Sequence, residues 1–337
     1  MSLKDIRPRL RTRDRARSGW LASVVVLVAL VAPVGCGGPE PVPPLRVGLV
    51  VFPGFEPIFL ARSMGLFSDE DIQLVDQGAA ADALRAFRNG TVDVVGFTTD
   101  FAIEAMTTHP TTRIIYTPDV SLGVDAVVAG PGIATVADLR GKRVGLEAST
   151  LGLFMLSRAL DHAGLEWDDV EQVSIDIPDQ VAAVAAGRVD AVVTYDPSLT
   201  QLLNMGQHVV YSSAEIPGEV VDVLIVREEL FATHSRQLQL LVDSWSAGIE
   251  EMRRRPLESA RIVVPREHVS PEEFLQALEG LQLLTPDEIR RMFVPAGSTS
   301  PLMETLERVM AVMLDRGILD EAVDVSVLVD DRFVVPR

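Results

Sequence analysis

Cysteine is nearly absent from this sequence of 337 residues. The one cysteine is Cys36, and a single cysteine cannot form a disulfide within the chain. Cys36 also stands at the end of an apolar leader, so the folded part that follows it has no thiol. Disulfide frameworks and thiol chemistry are therefore excluded for that part.

Positive charge is also scarce. The chain has 30 Lys and Arg residues against 48 Asp and Glu residues, which gives a formal net charge of −18 at pH 7. Seven of the basic residues and two of the acidic ones lie in the first nineteen positions, so the remainder carries 23 basic and 46 acidic residues, or −23. A surface this acidic repels phosphate backbones, and we expect no nucleic acid partner.

Motifs for catalysis and for cofactors are missing. The sequence has no G-x-S-x-G element, no P-loop and no dinucleotide glycine pattern. The five histidines are scattered along the chain: His109, His162, His208, His234 and His268. None of them has a partner at the spacing of a metal site. We therefore expect no metal, no cofactor and no enzymatic activity.

The N-terminus has the charge pattern of an export signal. Basic residues from Lys4 to Arg17 precede the uncharged run "WLASVVVLVALVAPVG", residues 20–35. This run is shorter than the roughly 20 residues that a membrane span needs. We therefore assign residues 1–35 to a signal peptide and the Pro-rich residues 36–44 to a tether.

Cys36 directly follows this leader and lies between Gly35 and Gly37. The arrangement resembles a bacterial lipoprotein, in which that cysteine receives lipid and becomes the new N-terminus, although Pro33 stands where the signal prefers an aliphatic residue. Two alternatives are an uncleaved membrane anchor and cleavage nearby with Cys36 as a bystander. All three place the chain from residue 45 onward outside the cytoplasm, in the periplasm or at the outer face of the cytoplasmic membrane.

Short β-rich runs alternate with helical runs from Leu45 onward. The alternation restarts once, which indicates two α/β units, each with a mostly parallel sheet covered on both faces. The predicted strands are 45–51, 72–75, 92–97 and 112–117 in the first unit, 143–147, 170–176, 190–195 and 208–211 in the second, and a later one at 220–227. The chain that follows is predicted to be helical.

Two segments with Pro and Gly, near 130–134 and 215–220, are the predicted crossings between the units, and two such crossings describe a hinge. The predicted lobes follow from these crossings. Lobe I comprises 45–131 and 217–337, including the C-terminal helices, and lobe II comprises 132–216.

One motif occurs in both units, as "NGTVDVVGFTTD" at 89–100 and as "AGRVDAVVTYDP" at 186–197. In each copy a helix ends at a glycine, Gly90 or Gly187, where a left-handed cap costs glycine little. A Val-Asp step then enters a buried strand. Ligands of open α/β sheets bind at the carboxyl ends of the strands, so "FTTD" and "TYDP" are predicted to face one cleft.

Four segments carry a resemblance to a known family: "VFPGFEPIFLARSMGLF", "SLGVDAVVAGPGIATVADLRGKRVGLEASTLG", "AGRVDAVVTYDP" and "SSAEIPGEVVDVLIVR". Together they resemble the periplasmic solute-binding proteins of nitrate, sulfonate and taurine type ABC importers, a group that includes relatives of the fungal thiamine-pyrimidine synthase. The resemblance extends over residues 45–255. It implies a two-lobed, type II periplasmic-binding-protein fold that closes on a small ligand and docks on a membrane permease with its ATPase. It also implies a monomer.

Candidate ligand contacts come from both lobes. A helix start at 149–151 offers backbone N–H groups to an anionic group, or is simply capped by Ser149 or Thr150. The repeated motif and the first strand end supply the other polar and aromatic candidates. The expected ligand contacts are Phe55, Glu56, Thr98, Thr99, Asp100, Asp125, Ser149, Thr150, Leu151, Tyr195, Asp196 and Glu215.

Acidic residues dominate this predicted cleft, and no Lys or Arg is obviously aimed at it. The charged candidates around it are Glu56, Asp100, Asp125, Glu147, Asp196, Glu215 and Asp222. A bare anion such as nitrate fits poorly, because unpaired carboxylates repel it. We therefore expect a taurine-like zwitterion, with its anionic end at the 149–151 helix start, or an aminopyrimidine-like ligand. In either case a cationic or donor end faces Glu56, Asp100 or Asp125.

Two other functions are compatible with these residues. One is an enzyme on the same fold, similar to menaquinone-pathway enzymes with two such lobes, although an export signal argues against it. The other is a sensory binding protein that docks on a receptor kinase. Neighbouring genes would separate import from sensing.

Overall fold

The structure is a computed structural model, and it describes residues 42–295 and 299–335. The predicted signal peptide and the predicted lipidation at Cys36 lie outside the described residues. The described residues form one compact unit.

Lobe I is built on a five-stranded sheet with the strand order β2-β1-β3-β11-β4, in which β11 is the later strand Asp222–Arg227. Strands β1, β2 and β3 are parallel, whereas β11 runs antiparallel to β3 and β4, so the predicted mostly parallel sheet is mixed. The elements up to the first crossing are β1 (Leu45–Leu49), α1 (Glu56–Ser63), β2 (Ile72–Asp76), α2 (Ala80–Arg88), β3 (Val94–Thr98), α3 (Thr99–Thr108), β4 (Thr112–Tyr116) and the short β5 (Asp119–Ser121).

Lobe II is built on a second five-stranded sheet with the order β10-β6-β9-β7-β8. Here β7 is parallel to β8 and β9, and β6 is antiparallel to β9 and β10. The elements are β6 (Asp125–Ala129), β7 (Arg143–Leu146), α4 (Thr150–Ala163), β8 (Glu171–Ser174), α5 (Ile177–Ala185), β9 (Ala191–Tyr195), α6 (Ser198–Asn204) and β10 (His208–Ser212).

The first crossing lies earlier in the chain than predicted. Strand β6 pairs with β9 and β10, so residues 125–129 belong to lobe II and the crossing lies at about Asp119 to Val124. The "GPG" segment at 130–132 is the turn that follows β6. The second crossing lies between β10 and β11, between Ser212 and Asp222.

The C-terminal part returns to lobe I and to the hinge. Strand β12 pairs antiparallel with β5, and Val120 bridges Val221, so both crossings and the C-terminal part form one small ribbon. The elements are β11 (Asp222–Arg227), α7 (Phe231–Arg254), α8 (Pro256–Glu267), α9 (Pro271–Leu278), β12 (Leu281–Leu283), α10 (Pro286–Phe293) and α11 (Pro301–Asp315).

The two lobes repeat each other at an interval of 97 residues, as Arg46 and Arg143 show. The tetrapeptide "RVGL" forms β1 at its first occurrence and β7 at its second. In both copies the arginine makes three hydrogen bonds, one through its backbone N–H and two through its guanidinium, to the aspartate of the Val-Asp step, Asp93 or Asp190. The repeated motif of the sequence therefore reflects a repeated half-sheet.

A continuous hydrophobic core runs from lobe I into lobe II, and Trp245 of α7 is its largest fully buried side chain. Helix α7 lies directly on α1, at a place where only glycine fits. A Cβ built on Gly248 would be 1.9 Å from the carbonyl oxygen of Pro57. The predicted long helix thus fixes the position of α1, which leads out of the cleft.

Candidate functional site

The candidate site lies between the lobes, at the carboxyl ends of the strands. Two adjoining cavities there share Asp125, Leu151 and Tyr195, and each has about 10 Å³ of space for a water-sized sphere, roughly one water molecule. The lobes are therefore closed on each other. The other lining residues are Val50, Phe52, Phe55, Phe97, Thr98 and Asp222 for the first cavity, and Glu147, Ser149, Gly152, Met155, Ile177, Val193 and Thr194 for the second.

Aromatic rings from both lobes form one wall of the site. The ring of Phe52 contacts Phe55 and Tyr195 edge to face, with centroids 5.2 and 5.9 Å apart. Phe55 in turn packs edge to face on Trp245 at 5.9 Å. Because Phe52 belongs to lobe I and Tyr195 to lobe II, this edge-to-face contact joins the lobes through apolar surface.

Three carboxyl groups meet where the crossings leave the sheets. Asp125 starts β6 in lobe II, Asp222 starts β11 in lobe I, and Asp119 lies in the first crossing. All three are almost fully buried. Gly54 permits this approach, since a Cβ at that position would lie 2.3 Å from Asp119 Oδ2.

Burial favours the protonated form of these three carboxyl groups. It raises the pKa of Asp119 to about 7 and that of Asp125 to about 7, because a charged carboxylate loses its hydration in this place. Burial and the neighbouring Asp119 raise the pKa of Asp222 well above its ordinary value. Asp222 therefore holds its proton to a higher pH than an ordinary carboxyl group does.

The two predicted helix starts face each other across the closed cleft. Ser149 Oγ accepts from the N–H of Gly152 at 3.2 Å, which confirms the predicted cap of α4. Asp100, at the start of α3, lies close to the hydroxyls of Thr98 and Thr150. Burial raises the pKa of Asp100, and these two hydroxyls lower it by a smaller amount.

Glu147, at the end of β7, forms a second link between the lobes. Its Oε1 accepts from the backbone N–H of Ala80 in lobe I at 3.0 Å, and both groups are buried. The sequence predicts Glu147 only as one of several charged residues around the cleft.

Glu56 is fully buried but lines neither cavity. Its carboxylate is bonded to Arg266 of α8, whose guanidinium lies over the ring of Phe59 at 3.4 Å and also reaches Asp76. Burial raises the pKa of Glu56 to about 7, against the opposing effect of Arg266. The charge of Glu56 is therefore already matched within the protein.

The structure brings together most of the predicted contacts and separates others. Glu215 is exposed, and its carboxylate caps the local turn through Ser212, which corrects the prediction that it lines the cleft. Asp196 caps α6 by accepting from the N–H of Thr200 at 2.9 Å. The predicted residues that line the cavities are Phe55, Thr98, Asp125, Ser149, Leu151 and Tyr195; those buried nearby are Thr99, Asp100 and Thr150.

The prediction missed Asp119 and gave Asp222 no role. Asp222 stands inside the apolar run "VVDVLIV", and an acidic residue in a buried strand is itself a signal of function. Asp119 lies in "TPDVS", which reads as an ordinary turn, so the sequence held no comparable signal for it.

Charge of the opposite sign is missing from the cavity walls. Among the described residues, neither cavity is lined by Lys or Arg. Within the same residues, no group of three or more His, Cys, Asp or Glu side chains has an arrangement that could hold a metal ion. No helix in 42–295 or 299–335 has the length and apolarity of a membrane span.

Curated proteins resemble parts of this chain. A putative binding protein of Brucella abortus (strain 2308) is 39% identical over 67 residues, which cover 20% of this chain and 21% of that protein. The chain therefore aligns with about a fifth of the length of such relatives. The taurine-binding periplasmic protein of Escherichia coli (strain K12) is 24% identical over 197 residues, or 56% of this chain and 61% of that protein.

Solved structures share the fold. The alkanesulfonate-binding protein SsuA from Xanthomonas axonopodis pv. citri, bound to MOPS, superposes with a TM-score of 0.72 at 18% identity, covering 87% of this chain and all of that one. The desulfurization enzyme DszB superposes with a TM-score of 0.61 at 18% identity, covering 86% and 97%. The predicted two-lobed periplasmic-binding-protein fold is thereby confirmed.

A family model spans both lobes. The model described as "NMT1/THI5 like" matches residues 53–259, which is more than half of the chain and includes Phe55 and Tyr195 of the aromatic wall, both crossings and the repeated motif. The chain belongs to the NMT1/THI5-like family.

Proposed function

We propose that this protein is the extracytoplasmic solute-binding component of an ABC importer. It captures a small polar organic ligand by closure of its lobes and delivers the ligand to a permease that works with an ATPase. The family, the shared fold and the names of the taurine-binding and alkanesulfonate-binding relatives support this role. Export, a lipid anchor at Cys36 and a monomeric state belong to the same proposal.

The observation that carries the proposal is the pairing of Asp125 of lobe II with Asp222 of lobe I beside an aromatic wall. A ligand that contacts both carboxyl groups bridges the lobes only when they are closed, so it shifts the population toward the closed state. Thr98 offers a hydroxyl at the same place.

The chemistry of this site favours a ligand with a cationic or hydrogen-bond-donating end and a flat, apolar body. Carboxyl groups satisfy ammonium or amino groups, and the rings of Phe52, Phe55 and Tyr195 cover a planar heterocycle. An aminopyrimidine-like ligand meets both requirements. A taurine-like sulfonate is the second choice, because the cavity walls provide no guanidinium or ammonium for its anionic end.

We also propose that the protein is not an enzyme, although the desulfurization enzyme DszB has this fold. Among the described residues, neither Cys nor His lines the two cavities. A bound solute would therefore leave the cleft unchanged.

Thermal unfolding against a panel of ligands tests the proposal. A ligand at one hundred times its dissociation constant adds about 2.7 kcal/mol to the free energy of unfolding and raises the melting temperature by several degrees. We expect such a shift with aminopyrimidines or other amines, a smaller one with taurine and none with nitrate. A shift with nitrate or alkanesulfonates alone would contradict the proposed ligand class.

A further inference from the structure

Helix α2 of lobe I begins without a cap of its own. Its N-cap residue is Ala79, which has no side-chain acceptor, and the helix runs for nine residues from Ala80 to Arg88. The first N–H groups of a helix have no partner within the helix, and the helix dipole adds partial positive charge at this end. Such an end attracts an anionic group.

The anionic group at this helix end comes from the other lobe. Glu147 follows β7 of lobe II, and its Oε1 accepts from the N–H of Ala80 at 3.0 Å, across 67 residues of sequence. The exposed fraction of Glu147 is 2% and that of Ala80 is 1%, so the hydrogen bond is shielded from water. A charged acceptor in such a place makes a stronger bond than a neutral one.

The surroundings of Glu147 disfavour the charged form of its carboxyl group. Burial raises the pKa of its carboxyl, and Asp176 and Asp82 act in the same direction, whereas the bond from Ala80 and the hydroxyl of Ser149 lower it. Asp82 lies in the first turn of α2 itself. The carboxylate of Glu147 therefore stays close to two other acids because the first N–H of α2 donates a hydrogen bond to it.

A similar arrangement, with the roles of the lobes exchanged, occurs at the start of α4 in lobe II. Asp100 of lobe I lies beside Thr150, the first residue of α4, and Glu104 is close to the same hydroxyl. Each lobe thus presents an acidic side chain to the start of a helix in the other lobe. Of the two contacts, only that of Glu147 is a hydrogen bond to a helix N–H.

We propose that Glu147 is an interlobe latch and a determinant of specificity. When the lobes are closed, its carboxylate holds them together at the start of α2. It also occupies the position at which that helix would bind an anionic group of a ligand, so simple anions are rejected there. This inference rests on the proposed function, in which the lobes close on a solute.

Hydrogen exchange and small-angle X-ray scattering test the latch without any ligand. We compare the wild type with Glu147→Ala, with Glu147→Gln, which keeps an acceptor but no charge, and with Glu171→Gln as a control, since Glu171 is an exposed residue of β8. The amide of Ala80 should exchange at least about tenfold faster in Glu147→Ala, with an intermediate rate in Glu147→Gln. The radius of gyration should increase in the same order. Unchanged exchange at Ala80 in both Glu147 variants would overturn the latch.

Methanesulfonate, a small monoanion, tests the specificity. At millimolar concentration it should raise the melting temperature of Glu147→Ala and leave the wild type and Glu171→Gln unchanged. An equal effect on the wild type, or no effect on Glu147→Ala, would overturn the claim that Glu147 excludes anions. Because none of these measurements uses the natural solute, the latch can fail or hold independently of the proposed transport function.

Discussion

Buried carboxyl groups are the most unusual residues of this protein. Glu56, Asp119 and Asp125 each have a pKa of about 7, raised mainly by burial. An acid retained in such a place destabilises the fold whenever it is ionised, and natural selection tolerates that cost at binding sites. Asp119 and Asp125 meet at the cleft, whereas Glu56 is balanced by Arg266.

These raised pKa values predict how stability depends on pH. Between the unfolded value near 4 and the folded value near 7, the folded state binds more protons than the unfolded state, so the free energy of unfolding falls as pH rises from 5 to 8. Each group contributes up to about 1.4 kcal/mol per pH unit in this window. Carboxyl groups with a lowered pKa, such as Asp93 and Asp190, change the free energy of unfolding only below about pH 4.

Urea unfolding at pH 5.5, 6.5, 7.5 and 8.5 measures this dependence. Asp125→Asn should flatten the slope, because one of the titrating groups is gone, and should be more stable than the wild type at pH 8.5. Asp168→Asn, a substitution on the surface, serves as the control. A free energy of unfolding that stays constant or rises over this range would contradict the assignment.

The repeated Arg-Asp pairs supply a comparison between equivalent residues. The exposed fraction of the Asp93 side chain is 7% and that of Asp190 is 33%. Asp93 also lies 3.5 Å from a second guanidinium, that of Arg227. We expect Asp93→Asn to cost about 3 kcal/mol, as when a buried pair is broken, and Asp190→Asn about 1 kcal/mol or less. Equal costs in urea unfolding would show that burial does not distinguish the two copies.

At the scale of elements, the contact between α1 and α7 holds the floor of the site in place. Gly248 lets the two backbones approach, and Trp245 packs on Phe55 one helical turn away. Gly248→Ala forces α1 and α7 apart, because the obstacle is the backbone oxygen of Pro57 rather than a movable side chain.

We expect Gly248→Ala to lower the free energy of unfolding by about 1–3 kcal/mol, the usual cost of overpacking, and to weaken ligand binding through Phe55. Glu250→Ala, on the exposed side of the same helix, is the matched control. Chemical denaturation measures the first effect and the ligand-induced shift in melting temperature measures the second. A Gly248→Ala protein as stable as Glu250→Ala would refute the close packing of these helices.

Most of the elements follow from local sequence patterns, and the errors have physical causes. Strands and helices follow hydrophobic periodicity, and the Val-Asp repeat correctly predicts two equivalent half-sheets. The partners of β6 are set by non-local pairing, which local sequence does not encode. Pro and Gly in the "GPG" turn therefore predict a crossing where the structure has a turn within lobe II. The "RVGL" repeat is a further signal in the sequence, because it marks β1 and β7 as equivalent strands of the two sheets.

Site residues were harder to predict than elements. The run "SSAE" at 212–215 is a capping box, and reading it as such would have removed Glu215 from the cleft. Asp119 and Glu147 acquire their roles only in the folded chain, because Gly54 and Ala80, their neighbours in space, are distant in sequence. Contacts of this kind depend on the arrangement of the whole molecule.

At the scale of the whole molecule, closure joins every feature of the site. The aromatic contact between Phe52 and Tyr195, the bond between Glu147 and Ala80 and the group of Asp119, Asp125 and Asp222 all link different lobes or the crossings. A ligand reaches these groups when the lobes separate and is enclosed when they close. We propose that this enclosure selects an amine-bearing solute.

Isothermal titration calorimetry of an aminopyrimidine with the wild type, Asp125→Asn and the surface control Asp168→Asn tests this claim most directly. A cationic or donor group favours the ionised form of Asp125, so the wild type and Asp168→Asn should bind, and more tightly at pH 8 than at pH 6. Asp125→Asn should bind at least about tenfold more weakly, as expected for the loss of one charged hydrogen bond. Equal affinity in all three proteins, or binding that weakens as pH rises, would contradict the account.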